Sequence, residues 1–114
     1  MHTLDLFSLK GKTAVVTGGC GHLGKAMVAA LSDAGALVYV AGTSHDKFVS
    51  VYGTDTLLRF VKINIMDSVS IREAFRYVAE EAGSIDVLIN NAAQYAGIGK
   101  KSEDLTDEDW EKCI

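Results

Sequence analysis

The sequence has no proline, only two cysteines, and no cluster of positive charge beyond Lys100–Lys101. With no proline-rich or low-complexity stretch, nothing marks a linker, and residues 1–114 read as a single domain. Cys20 and Cys113 are too few for a disulfide scaffold and have no metal-ligand spacing around them, so they read as reduced thiols. Eleven basic against fifteen acidic residues leave a net charge of −4, which argues against nucleic acid or an anionic membrane as partner. No stretch approaches the roughly 18 apolar residues of a membrane span. The opening MHTLDLF lacks the basic-then-apolar order of a secretory signal, and a cytoplasmic location is expected. What is present is 114 residues, 48% of them hydrophobic and 23% charged: enough to build a core and too aliphatic for disorder.

Short apolar runs alternate with helical periodicity. Thr13–Val16 is β-branched and apolar, as a strand buried on both faces should be, and it stops at a glycine cluster. From Leu23 the apolar positions Leu23, Met27, Ala30, Leu31 and Ala34 recur at helical spacing, with Gly35 as the stop. Ala36–Ala41 predicts a second strand, Asp46–Val51 a short helix, and Leu58–Ile65 a third strand. Ser70-x-x-Glu73 has the capping-box pattern and opens a helix with an apolar face of Ala74, Phe75, Val78 and Ala82, closed by Gly83. Ile85–Ile89 predicts a fourth strand, and Thr106-x-x-Asp109 a further helix from Asp107 that carries Trp110. Strands alternating with helices imply parallel pairing through right-handed crossovers, a doubly wound α/β sheet with expected strand order 3-2-1-4. The fourth strand would then be an exposed apolar edge, and the last helix is only two turns long at Ile114. The sequence reads as the front part of something longer.

Thr17-Gly-Gly-Cys-Gly-His-Leu-Gly24 lies between the first strand and the first helix. Such a turn aims backbone N–H groups, and the positive end of a helix dipole, at a pyrophosphate. In that reading Gly18 makes the tight turn, and a valine there would enter the pyrophosphate space. Gly21 lets the backbone approach the phosphates, and Gly24 lets helix and strand pack closely; the plainer reading is an ordinary tight turn. Near Gly42–Thr43, where a dinucleotide fold often ends its second strand with an acid for the adenosine ribose, this sequence has neither an acid nor a base for a 2′-phosphate. Thr43 and Ser44 can hydrogen-bond to either group. NAD and NADP both stay open, with the missing acid leaning toward NADP.

Four blocks, in order, resemble the short-chain dehydrogenase/reductase family over essentially the whole chain: GKTAVVTGGCGHLG, Asn64-Ile65-Met66-Asp67, IDVLINNAA and DLTDEDWEKCI. The resemblance implies a Rossmann-type fold, here incomplete, and an NAD(P)-dependent oxidoreductase acting on a ketone or secondary alcohol of sugar, polyol or 3-oxoacyl type. It also implies roles. Gly18 to Gly24, with Cys20, Gly21 and His22 between and the Leu23 N–H in contact, would hold the pyrophosphate. Thr43 would lie at the adenosine ribose. Asn64 takes the place of the family's usual Asp at the adenine amino group, with Ile65 flanking the ring. Asn91 would steady the sheet beside the nicotinamide ribose, where Ala92 and Ala93 leave room, although the family commonly has Gly at the latter. The glycine spacing departs from the commonest family turn, which has its middle glycine at the position of His22; that side chain either reaches a phosphate or faces solvent. The family's Ser, its Tyr-x-x-x-Lys pair and its relay Asn would all lie beyond Ile114. No catalytic residue is therefore expected here, since Tyr39, Tyr52, Tyr77 and Tyr95 all lack a lysine four residues on.

The remaining residues have plainer readings. His2 and His45 lack partners at ligand spacing, and no metal site is expected. Cys20 is either a low-pKa thiol at a helix start or a small packing residue. The acidic run Glu103, Asp104, Asp107, Glu108 and Asp109 suits a solvated helix start. Trp110 and Ile114 belong either to the core or to the family's helix-pair interface, and the parent is expected to be a homo-oligomer. Two other classes compete with the oxidoreductase half: a non-catalytic nucleotide-binding module and a flavodoxin-like domain with a different ligand.

Overall fold

In the computed structural model, residues 3–92 and 106–108 are described. Within them a 3₁₀ turn at Thr3–Phe7 leads into β1 (Thr13–Thr17), α1 (His22–Asp33), β2 (Leu37–Gly42), α2 (His45–Tyr52), β3 (Arg59–Lys62), α3 (Ser68–Ala82) and β4 (Val87–Asn90). The strands are parallel in the order β3-β2-β1-β4, as the alternation of strands and helices predicts. All five residues of β1 are buried, because it has a strand on each side and a helical layer on each face. Its side chains alternate between two cores. Ala14 and Val16 join Val28, Val38, Val40 and Phe48 beneath α1 and α2, whereas Val15 joins Tyr39, Ala41, Val61, Ile63, Ala74 and Val78 beneath α3.

The helix ends differ in a way that bears on the site. α2 is capped by the Ser44 hydroxyl, which accepts from the Lys47 N–H at 3.1 Å. α3 is capped by Asp67, which accepts from the Val69 N–H at 2.9 Å. The helix therefore starts before the Ser70-x-x-Glu73 pattern; Ser70 lies inside the first turn, where its hydroxyl accepts from the Asn64 N–H at 2.8 Å. α1 begins at Gly21 with no side-chain cap, and its first amides are open to whatever lies beyond. β3 is shorter than the expected 58–65 because residues 63–65 leave the sheet, the Ile63 N–H making a last bond to the Gly42 carbonyl. Residues 107 and 108 are helical where that helix is expected to start. Tyr95, Glu103, Asp104, Asp109, Trp110, Cys113 and Ile114 lie outside the described residues.

The carboxyl ends of β1 and β4 are clamped together. The buried Thr17 hydroxyl accepts from the Asn91 and Ala92 N–H groups, both at 3.0 Å, and donates to the Ile89 carbonyl at 3.3 Å. At the opposite end Asp86 accepts from the Thr13 N–H at 2.9 Å and returns its own N–H to the Thr13 carbonyl. That pair of strands is the point where the winding of the sheet reverses, and in open α/β sheets ligands bind outside such a reversal.

Candidate functional site

A cleft of about 640 Å³ opens at the carboxyl ends of the strands, within the ~300–1,000 Å³ typical of small-molecule sites. Four segments meet there because four parallel strands end together: the turn after β1, Gly42 at the end of β2 with Thr43 and Ser44 after it, residues 63–65 after β3, and Asn91–Ala92 after β4. Of the residues singled out from sequence, Gly18, Cys20, Gly21, His22, Leu23, Thr43, Asn64, Ile65, Asn91 and Ala92 line the cleft. Gly24 does not line it, and Ala93 lies outside the described residues.

The glycines divide by what a side chain would meet. Gly18 has φ +66°, and a Cβ there would lie 3.0 Å from the Ala92 backbone. A valine at 18 would thus strike the β1–β4 junction, not the cleft as the sequence suggests. At Gly24 a Cβ would sit 2.1 Å from the Gly18 carbonyl oxygen, so this glycine is needed for the helix to abut the turn. At Gly21 it would meet only that same oxygen, at an ordinary 3.6 Å, and the backbone there (φ −83°, ψ 175°) suits any residue. The fold has no need of glycine at 21, and the room its missing side chain leaves belongs to the cleft.

Donors face that room. The Gly18 and Gly21 amides are used internally, by the Ala41 and Gly18 carbonyls, whereas those of Gly19, Cys20, His22 and Leu23 have no acceptor among the described residues. Asn91 donates its side-chain amide to the Gly18 carbonyl at 3.1 Å and ties the turn to β4. Asn64 Oδ1 accepts from the Met66 N–H at 3.0 Å and keeps a second lone pair for a ligand. His22 and Leu23 are exposed at the rim. Burial pushes the Cys20 thiol pKa up, partly offset by the Lys47 ammonium, and Cys20 packs on the α1/α2 core; this favours the packing reading of Cys20.

Lys47, which the sequence reading passes over, also lines the cleft, with Gly19, Ala41, Gly42, Ser44 and Ile63. It sits in the first turn of α2, four residues after Thr43, and the Ser44 cap brings that turn back over the end of β2. The Ser44-x-x-Lys47 spacing was the available signal. An uncapped helix start, free amides, a side-chain-free gap and one ammonium suit a phosphorylated, aromatic ligand such as a dinucleotide, and the residues fit such a group. Among the described residues no group of three His, Cys, Asp or Glu could hold a metal, and no helix is long and apolar enough to cross a membrane.

Comparison with known proteins agrees with this geometry. The chain is 33% identical over 119 residues to the uncharacterized oxidoreductase YgcW of Escherichia coli K12, covering 98% of this chain and 43% of that protein. It is 34% identical over 110 residues to the NADP-dependent (R)-specific alcohol dehydrogenase of Lentilactobacillus kefiri, covering 93% and 42%. It is 37% identical over 95 residues to the 2-dehydro-3-deoxy-D-gluconate 5-dehydrogenase of Formosa agariphila, covering 79% and 36%. The chain thus spans less than half the length of these curated relatives. A crystal structure of a short-chain type dehydrogenase/reductase from Mycobacterium marinum superposes with a TM-score of 0.86 at 27% identity, over 99% of this chain and 47% of that one. The short chain dehydrogenase family model matches residues 12–114, and with that span covered the chain belongs to the short-chain dehydrogenase family.

Proposed function

We propose that this chain is the cofactor-binding part of an NAD(P)-dependent oxidoreductase, and that its cleft holds the dinucleotide. The bound nicotinamide supplies hydride exchange with a ketone or secondary alcohol. The supporting observation is the uncapped start of α1 facing a gap that Gly21 leaves and the fold does not need. In this reading the Cys20, His22 and Leu23 amides hold the pyrophosphate and Thr43 and Ser44 hydrogen-bond the adenosine ribose. Asn64 and Ile65 take the adenine, and Asn91 and Ala92 lie toward the nicotinamide ribose. Lys47 favours NADP, because an ammonium in the cleft gains more from a doubly charged 2′-phosphate than from a hydroxyl, to which it donates only an ordinary hydrogen bond. None of the described tyrosines lines the cleft: Tyr39 and Tyr77 donate to Glu81, and Tyr52 donates to the Gly19 carbonyl. The proton-transferring groups of the parent would be supplied by sequence beyond this chain.

Relatives whose names mark an alcohol, a sugar-acid and a sorbose enzyme support a small hydroxylated or carbonyl substrate for the parent. The reading also takes the parent to be cytoplasmic and homo-oligomeric. Titration of the chain with NADPH and with NADH, followed by nicotinamide fluorescence, tests the cofactor assignment. NADPH should bind more tightly, and Lys47→Met should weaken NADPH by roughly tenfold more than it weakens NADH, the scale of one charge-assisted contact. Binding of neither dinucleotide would remove the proposed function.

A further inference from the structure

Tyr52, the last residue of α2, lies outside the cleft lining, yet its hydroxyl donates to the carbonyl oxygen of Gly19 inside the phosphate turn. We propose that Tyr52 is a positioning residue for the pyrophosphate of a dinucleotide, acting through the Gly19–Cys20 peptide. The proposal rests on the reading of the cleft as an NAD(P) site.

The Gly19 carbonyl and the Cys20 N–H belong to one peptide group, and every peptide bond described is trans. In a trans peptide the two bonds point in opposite directions, so fixing the carbonyl fixes the amide. Tyr52 draws the oxygen toward α2, and the Cys20 N–H therefore points away from α2. Packing holds both partners of that hydrogen bond. Gly19 lies flat on the core, where even a Cβ would come within 2.8 Å of Val40 and 3.3 Å of Val28. The Tyr52 ring is itself packed, 5.4 Å from Phe48 between centroids, and Phe48 is buried on the sheet. The donor that remains, the Cys20 amide, has no acceptor among the described residues and sits in the cleft lining. Preorganised donors are worth more than free ones because their direction needs no ordering on binding. Tyr52 also shares α2 with Lys47, so one helix both aims the turn and carries the cleft's ammonium.

Tyr52→Phe keeps the ring and removes only the hydroxyl. Binding of NADH, NADPH and adenosine 2′-monophosphate is measured on the full chain and on this variant, with the melting temperature of each. NADH and NADPH, which carry a pyrophosphate, should weaken by the same factor, about fivefold for one hydrogen bond. Adenosine 2′-monophosphate, which has none, should be unchanged. Equal weakening of all three would mean a general loosening of α2 and would overturn the proposal, as would no change in any. Wild-type chain that binds neither dinucleotide removes the NAD(P) reading itself. A second measurement needs no variant: the Cys20 amide resonance of the wild type should move on adding NADH and stay put with adenosine 2′-monophosphate. An amide indifferent to NADH overturns the proposal on its own.

Discussion

Thr17 shows how much a single short side chain does in this fold. Its hydroxyl satisfies two backbone donors and one acceptor at the buried end of the β1–β4 pair. Thr17→Val keeps the shape but leaves those groups unpaired, and unpaired buried groups cost ~1–3 kcal/mol each before relaxation. Chemical denaturation should show a loss of about 2–4 kcal/mol, with Thr17→Ser close to wild type. Gly21 predicts the opposite pattern. Gly21→Val is compatible with the backbone, so the melting temperature should stay within a few degrees while dinucleotide affinity falls at least roughly tenfold, because the branch occupies the phosphate gap. Circular dichroism and a cofactor titration on the same sample separate the two. Both roles of Thr17 and Gly18 depend on Asn91 and Ala92, more than seventy residues away in sequence, and local spacing cannot show them. Gly21 was legible from the glycine turn between strand and helix, whereas Asn64 and Asn91, which also line the cleft, were legible only through the family resemblance.

Each element was legible in proportion to how two-sided its burial is. The runs TAVVT and LVYVA announce their strands because only apolar, β-branched chains suit a layer covered above and below. The third strand was legible too, but its end was not, because Ile63 stays buried after the strand has ended and still carries the apolar alternation onward. Lys47 was missed for a related reason. Periodicity gives the inner face of α2 but not where along β2 the helix sits, and that position decides whether a first-turn lysine reaches the cleft. α3 has its own anchor. Its last turn carries Glu81, which accepts from Tyr39 at 2.6 Å and from Tyr77 at 2.8 Å, with Arg59 at 3.4 Å. A buried tyrosine in the middle of β2 thus reaches through the layer to an acidic group at the surface. The α3 cap is also testable in isolation: Asp67→Ala should cost ~1 kcal/mol of stability in denaturant titration, whereas Ser70→Ala, within the first turn, should disturb only the Asn64 loop.

For the molecule as a whole, the ionisable ties predict the shape of its pH–stability curve. Hydrogen bonds from Tyr39 and Tyr77 hold the Glu81 carboxyl below the usual carboxylate range, and the Thr13 N–H does the same for Asp86. A lowered native pKa contributes stability that is present above the unfolded value and lost as pH falls through the native one. Both ties should therefore weaken on the acid side, below about pH 4. Tyr39 has the opposite sign. Burial and the Glu81 carboxylate push its pKa up to about 12, so its contribution is complete below about 10 and is lost as pH rises from there to 12. Melting temperatures measured across pH should fall off at both extremes, and Tyr39→Phe should shrink the alkaline shoulder, to which Tyr52 and Tyr77 also contribute, and shrink the acid one too, because it takes from Glu81 a hydrogen bond that holds its pKa down. A wild-type curve without the alkaline fall would contradict that assignment.

The clamp between β1 and β4 also sets an order of events during synthesis. β1 is the first strand made and is interior to the sheet, yet its side-chain hydrogen bonds to the β4 segment join residues 72 to 75 positions apart. At ~5–20 residues per second, a ribosome needs roughly 4–15 s to make that stretch. For that interval one side of an apolar, fully buried strand has no neighbour to pair with. Of the described strands, β1 is therefore the one that waits longest with an edge unpaired.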